Sequence, residues 1–293
     1  MELKLSFSII IPTYNRPKEL KRCLDAISKM NYPRNQFEVI IVDDGSECEL
    51  NHLIARHQKQ IDLKFHRQEN AGPAKARNAG ATNARGKYLA FTDDDCAPDE
   101  NWLQCFEARF DQTPNSVIGG KTINALPKNI YAEASQLFMD YLYEYYNKDI
   151  DNARFLASNN FAMPSVLFDT LGGFNTSFPL AAGEDRDFCK RCLYSGLPMR
   201  YAPEAHIYHA HRLTFLRFWR QHFNYGRGAF HFHQLCANQK HKSREPFLFY
   251  LDLLRYPFSR SWKRKSLHFS LLMIITQFAN TAGYAWECMY SKG

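Results

Sequence analysis

Asp93, Asp94 and Asp95 stand in a row at the end of the apolar run "YLAFT" (88–92). Neighbouring carboxylates repel one another, and the end of a strand offers no cation to offset that repulsion. An aspartate that only shapes a turn accounts for one of them, not for three. The triplet therefore implies a bound cation. In extended backbone alternate side chains point the same way, so Asp93 and Asp95 would share one ion while Asp94 faces elsewhere. Hard carboxylate oxygens suit Mg²⁺ or Mn²⁺, which keep coordination positions open for substrate phosphates.

A second acid pair, Asp43 and Asp44, ends the stretch "FEVIIVDDGS" (37–46). A carboxylate accepts hydrogen bonds and donates none. It suits a base edge that presents an N–H, as uracil, thymine and guanine do, and suits cytosine poorly. Capping the next helix together with Ser46 would occupy only one of the two acids. Pro12, Thr13, Tyr14 and Asn15 end an earlier apolar run, where a backbone wall and an aromatic face would sandwich a flat base. Arg77, beyond Gly72, would reach a phosphate or the sugar of a nucleotide, unless it merely solvates a helix face. Asn159 and Asn160 in "ASNNFAMP" offer amides to a sugar or an acceptor.

These residues need a scaffold that brings distant loops together, and the first hundred residues provide the pattern for one. The runs at 7–12, 37–46, 61–66 and 87–93 read as buried strands. Between them, 17–28, 47–58 and 73–84 read as helices, the first with Pro at its first turn and Leu20, Leu24 and Ile27 on one face. Continuous apolar strands joined by helices imply an α/β fold with a mostly parallel sheet and right-handed crossovers. Ligands bind such sheets outside the carboxyl ends of the strands, where "PTYN", "DDGS" and "DDDC" would converge. The middle of the chain is less regular. It predicts an aromatic helix over 138–147 and another from about Glu184 to Gly196. Beyond 213 the pattern is helical throughout, without repeats or a low-complexity linker, and predicts an extension packed onto the core.

Composition agrees with an enzyme-sized chain of 293 residues, 45% hydrophobic. Eight cysteines lack the spacing of a disulfide framework, and the start "MELKLSFSIIIP" has too short an apolar run for a secretory signal, so reduced thiols in a cytoplasmic setting are expected. Cys189 and Cys192 form a CxxC inside a helix with no second pair, which reads as packing. The formal charge of +7 is unevenly placed: residues 206–265 carry twelve Lys and Arg side chains against two acids. A basic, aromatic-rich tail suits anionic lipid, diphosphates or nucleic acid, but no nucleic-acid motif accompanies it, and no specific nucleic acid is expected.

Taken in order, "FSIIIPTYNRPKEL", "VIIVDDGS", "NAGPAKARNAG" with "ARGKYLAFTDDD", and "GEDRDFCKRCLYSG" followed by "YHAHR" resemble the successive motifs of family 2 glycosyltransferases over roughly residues 7–212. The resemblance implies a GT-A fold, a nucleotide-sugar donor, a metal held by the DxD pair, and inversion at the anomeric carbon. It places base-binding positions on Pro12, Thr13 and Tyr14, with Asp43 or Asp44 at the nucleobase edge, and the DxD on Asp93 and Asp95. The general base that deprotonates the acceptor falls on Asp185, beside Glu184. A histidine completing the metal shell falls on His209 or His211, with His209 favoured and His211 left to the acceptor side. Cys96 stands where many relatives carry a further acid. A first-turn position would keep Asp185 ionised through the helix dipole, and an ionised carboxylate is what an attacking hydroxyl needs.

The expected organisation is a GT-A catalytic domain at 1–212, with 1–112 binding nucleotide and 113–212 binding acceptor, followed by a helical extension at 213–293. Residues 267–286 contain no charged side chain if His268 is neutral, long enough to span a bilayer. However, Ser270, Gln277, Asn280, Thr281 and Tyr284 recur at helical spacing, so a helix lying at the membrane interface or packed on the core is expected instead. "KRK" at 263–265 would suit anionic headgroups. The expected enzyme is thus peripheral on the inner face of the cytoplasmic membrane. It would move a sugar from a nucleotide-diphosphate donor, UDP favoured, to a glycan or lipid-linked acceptor. The competing reading is a catalytically silent nucleotide-sugar or glycan-binding module.

Overall fold

The computed structural model describes residues 5–178, 180–238, 245–259 and 266–290. The first half alternates as its apolar runs require: β1 (Phe7–Thr13), α1 (Pro17–Ile27), β2 (Phe37–Asp43), α2 (Asn51–Gln58), β3 (Leu63–Arg67), α3 (Pro73–Thr82) and β4 (Tyr88–Thr92). Every residue of β1, β2 and β4 is buried, which is why these strands are mostly apolar rather than alternating; the buried Ser8 and Glu38 satisfy each other, the serine hydroxyl donating at 2.7 Å. All four strands pair in parallel in the order β3-β2-β1-β4. Helix α3 lies close against this sheet because it carries Gly80: a Cβ there would come within 2.5 Å of Ile10 Cγ2.

Beyond β4 follow β5 (Cys96–Pro98), α4 (Trp102–Gln112), β6 (Val117–Asn124), α5 (Ile130–Tyr146), β7 (Asn160–Pro164), α6 (Ser165–Thr170), α7 (Glu184–Tyr194) and β8 (Met199–His209). The sheet grows into eight strands, ordered β3-β2-β1-β4-β7-β6-β8-β5. Here it is mixed: β7 runs antiparallel to both β4 and β6, and β5 antiparallel to β8. Short strands such as "NFAMP" carry too little periodicity to announce themselves in a sequence. Helix α5 also starts eight residues earlier than its aromatic run predicts, because Asn129 caps it by accepting from the N–H groups of Tyr131 and Ala132.

One apolar core, with Leu20, Ile41, Trp102 and Phe106, fills the α1, α2 and α4 side of the sheet. A second, with Phe91, Phe161, Phe174 and Phe188, fills the α6 and α7 side. A third joins α5 to the C-terminal helices α8 (Phe215–Asn238), α9 (Phe247–Ser259) and α10 (Ser266–Tyr290) through Tyr141, Phe218, Leu253, Phe269 and Met273. Helices α8 and α10 touch backbone to backbone. A Cβ at Gly226 would meet the Asn280 carbonyl oxygen at 1.9 Å, and one at Gly283 the Phe223 carbonyl oxygen at 1.9 Å.

The polar row of α10 faces inward. Ser270 donates to the Leu254 carbonyl, and Gln277, Asn280, Thr281 and Tyr284 line the central cleft. The opposite row, Leu267, Leu271, Ile274 and Phe278, is exposed. Among the described residues no helix is long and apolar enough to cross a membrane. The "KRK" at 263–265 lies outside the described residues.

Candidate active site

A cleft of about 1880 Å³ opens at the carboxyl ends of β1, β2 and β4 and continues between α5, α7, α8 and α10. Pro12, Thr13, Tyr14 and Asp44 line one end, and Asp93, Asp94, Asp95, Glu184, Asp185, His209 and His211 converge on its middle. Tyr14 is 45% exposed, so one face of its ring is open to a ligand. Asp44 is held by the N–H groups of Ala71 and Gly72 and by Gln68.

Asp43 and Asn15 are placed differently from the expectation. Asp43 points away from the cleft, caps the Ser46 N–H at 3.0 Å and faces Arg67 at 3.5 Å, so Asp44 is the acid on the cleft wall. Asn15 takes a left-handed backbone (φ 55°) and accepts from the Glu47 N–H, a role in shaping the loop rather than in touching a base.

The acidic triplet splits three ways. Asp93 turns to the buried Arg77, 2.7 Å away, and Arg77 in turn lies 3.5 Å from Glu184. Asp94 accepts from the Thr13 hydroxyl at 2.7 Å and pairs with Arg16. Asp95 lies 3.0 Å from Arg16 and 3.2 Å from His209 Nε2. Asp93 and Asp95 therefore do not meet around one point, as the alternation of an extended chain predicts. The chain turns immediately after Thr92, and the period of two is lost. Arg77, placed in the sequence reading on a phosphate or the sugar of a nucleotide, lines the cleft and pairs with Asp93 and Glu184, while its Nε and Nη1 have no hydrogen-bond partner.

The donor atoms of Asp95, Cys96 and His209 lie within 4.8 Å of one another. One carboxylate oxygen and one imidazole nitrogen fit a Mn²⁺ or Mg²⁺ ion that leaves positions for phosphate oxygens. Cys96 fits less well: burial holds its thiol well above the usual range, hence protonated, and a thiol is a poor ligand for a hard ion. Arg16 is the residue that sequence reasoning missed here. It follows "PTYN" directly, and its charge near two acids is visible only once the loops fold together.

Electrostatics divide these carboxylates sharply. Burial, against the pull of Arg16, pushes Asp94 up to about 7. Burial alone would raise Asp95 as well, but His209 and Arg16 hold it well below the usual carboxylate range. His209 is raised in return: Asp95 outweighs the effect of its burial. Burial, aided by the His209 charge, depresses His211 to about 4.

Asp185 sits at the start of α7, where Gly183, in the left-handed region (φ 95°), packs against the Gly228 carbonyl. Its Oδ2 accepts from the Ser158 N–H at 3.1 Å, and its Oδ1 has no partner. Contrary to the expectation from the helix dipole, burial dominates and raises its pKa, with Arg77 opposing. Burial and the Asp185 carboxylate raise Glu184 too, and its Oε2 is also without a partner.

Of the two amides, Asn159 lines the cleft and lies near Thr122, whereas Asn160 does not. Asn160 is fully buried: its oxygen accepts from Trp102 Nε1 at 2.8 Å and its nitrogen donates to the Ala205 carbonyl at 3.0 Å. It ties α4 and β8 to β7 and is withdrawn from the acceptor assignment. Asn224 and Tyr225 of α8, which no sequence argument singled out, complete the cleft wall together with Gln221.

A mostly parallel sheet whose strand ends gather an acid–imidazole pair and a separate carboxylate with one unpartnered oxygen defines a GT-A type transferase fold. Residues 8–172 match the glycosyl transferase family 2, and the chain belongs to that family. Glycosyltransferase AglE of Haloferax volcanii is 25% identical over 75% of this chain and 72% of its own length. Validoxylamine A glucosyltransferase of Streptomyces hygroscopicus subsp. jinggangensis is 27% identical over 68% of the chain and 54% of its own length. The poly(ribitol-phosphate) β-N-acetylglucosaminyltransferase TarS of Staphylococcus aureus is 29% identical over 45% of the chain, which spans only 24% of it. Among solved structures, mannosyltransferase PcManGT from Pyrobaculum calidifontis, in complex with GDP-Man and Mn²⁺, superposes with a TM-score of 0.68 at 17% identity. That match covers 98% of this chain and 88% of that one. A fragment of TarS with UDP-GlcNAc gives 0.59 at 17% identity, covering 96% and 89%.

Proposed function

We propose that this glycosyltransferase moves a sugar, with inversion, from a nucleotide-diphosphate donor to a hydroxyl of a glycan or lipid-linked acceptor. The observation that carries the reading is Asp185 Oδ1: a buried carboxylate oxygen without a partner, on a residue that lines the cleft together with Asp44, Asp95 and His209. The base would lie between Tyr14 and the Pro12–Thr13 backbone with Asp44 at its edge. In a single displacement the acceptor oxygen attacks the anomeric carbon as the bond to the diphosphate oxygen breaks, and Asp185 takes the hydroxyl proton. Ser158 N–H fixes one oxygen of that carboxylate and leaves the other free for the acceptor. A divalent ion at Asp95 and His209, when bound, would supply positive charge to the departing diphosphate. Arg77 orients Asp93 and Glu184 around this centre.

UDP is favoured because an acidic base-edge contact suits uracil, and because TarS is described with UDP-GlcNAc; GDP, described with PcManGT, is the next nucleotide to test. The division into a nucleotide-binding part at 1–112, an acceptor-binding part at 113–212 and a helical extension belongs to the same reading. The exposed apolar row of α10 supports work at an anionic membrane surface on the cytoplasmic side, which cosedimentation with anionic and neutral vesicles would test. The donor reading is tested by calorimetric titration with UDP, with and without Mn²⁺, in the native chain and Asp95→Ala. Metal-dependent binding lost in the variant is the expected result. Failure of both UDP and GDP to bind would leave the silent-module reading in place.

A further inference from the structure

We propose that Arg217 and Arg220 form a phosphate-binding site on the acceptor side of the cleft, so that the acceptor carries a phosphate group. This rests on the reading of Asp185 as the base. Arg217, Arg220, Gln221 and Asn224 follow one another at helical spacing on α8, and all four line the cleft. Both arginines are exposed, and neither makes an ion pair among the described residues. Of the other four cleft arginines three are paired: Arg16 with Asp94 and Asp95, Arg77 with Asp93 and Glu184, and Arg186 with Glu245 at 3.8 Å; Arg212, like Arg217 and Arg220, makes no ion pair among the described residues. The acids of this end of the cleft are engaged elsewhere. Asp140 accepts from Gln136, and Glu245 accepts from the Tyr146 hydroxyl.

Two uncompensated guanidinium groups one turn apart form a donor array suited to a phosphate, whose oxygens match the planar fork in pairs. Their place along α8 gives the spacing. Tyr225 is close enough to Asp185 and Glu184 for their charges to raise its pKa, although burial is the larger cause. Arg220 lies five residues before Tyr225 and Arg217 eight, or roughly 7 and 12 Å along the helix axis. A reacting hydroxyl at Asp185 and a phosphate at the arginines are therefore separated by enough length for a sugar or polyol unit. Asn224, between them, offers an amide to its hydroxyls, while Gln221 donates to the Tyr225 hydroxyl at 2.8 Å. Arg212 directly follows His211 and is left to the donor diphosphate.

A phosphate of this kind comes either from a soluble polyol or sugar phosphate or from a lipid phosphate, whose chain would meet the exposed Phe215 and Leu216 in the preceding turn. The test uses the full chain with UDP and Mn²⁺, titrated by NMR with glycerol phosphate and, separately, with phosphatidylcholine vesicles with and without phosphatidic acid. Saturable binding of either phosphate probe is expected, weakened at least about tenfold in Arg217→Gln/Arg220→Gln while UDP affinity is unchanged. Binding of glycerol phosphate alone assigns a soluble acceptor; binding of phosphatidic acid vesicles alone assigns a lipid one. The proposal is overturned if neither probe binds, if the double variant binds as well as the native chain, or if UDP displaces the probe. Should UDP itself fail to bind, the donor reading falls, and the same titration without nucleotide still decides the phosphate site.

Discussion

Asp95 and Asp185 are both buried aspartates in one cleft, yet their surroundings push them in opposite directions. Asp95 has cations on two sides, His209 and Arg16, and is held ionised. Asp185 has one oxygen on a backbone N–H, none on a cation within ion-pairing distance among the described residues, and is held toward its neutral form. The difference separates two kinds of work. A permanently ionised carboxylate beside an imidazole is built to hold a cation. A carboxylate whose proton affinity has been raised by burial, with one oxygen that has no hydrogen-bond partner, suits the acceptance of a proton. Asp94, between Thr13 and Arg16, accepts from the Thr13 hydroxyl and is pushed up to about 7 by burial.

The sharpest break in this comparison is Asp185→Asn. Transfer should fall by roughly 10²- to 10⁴-fold, the usual range for losing a general base, while UDP affinity measured by calorimetry stays at the native value. Transfer retained within tenfold would remove Asp185 from the reaction. Next in size, His209→Ala should weaken UDP binding by at least about tenfold in Mn²⁺ and change it little in EDTA. Equal losses in both conditions would mean that His209 acts on the nucleotide without a metal.

The pH dependence sharpens the same contrast. Only the ionised form of Asp185 accepts a proton, and burial raises its pKa above the ordinary 3.8. The rate should therefore be full at high pH and fall as pH drops through that raised value, giving an acid limb of kcat/KM above the limb of an ordinary aspartate. A limb at or below pH 4 would contradict the burial seen here. The smallest effect on catalysis belongs to Asn160→Ala. It should lower stability by about 1–3 kcal/mol, because Trp102 Nε1 and the Ala205 carbonyl lose buried partners. The KM for the donor should stay near native; a large rise there would return Asn160 to the binding site.

Much was legible before any coordinates. Three of the four parallel strands, β1, β2 and β4, were readable because strands buried on both faces are mostly apolar, and the strand-end loops followed from that. Asp185 was named through the resemblance of "GEDRDFCKRCLYSG" to the family's motif. What escaped were features without a local period. The antiparallel β7 is five residues long and reads as any apolar fragment, and Asn160, whose type suggests ligand binding, is consumed by Trp102 and Ala205, 58 and 45 residues away.

The sequence by itself determined which strand-end loops are gathered at the carboxyl edge of the sheet, since apolar runs joined by helices imply parallel strands with right-handed crossovers. Only the tertiary structure decided how their charges are shared. Arg16, Arg77 and His209 come from three separate segments and divide Asp93, Asp94 and Asp95 among them. Likewise the polar row of α10 is turned toward the cleft because Gly283 and Gly226 let α8 and α10 meet at backbone distance. Proton affinity depends on burial and on charges a few ångströms away. Those are set by contacts between distant segments, and no stretch of sequence contains them.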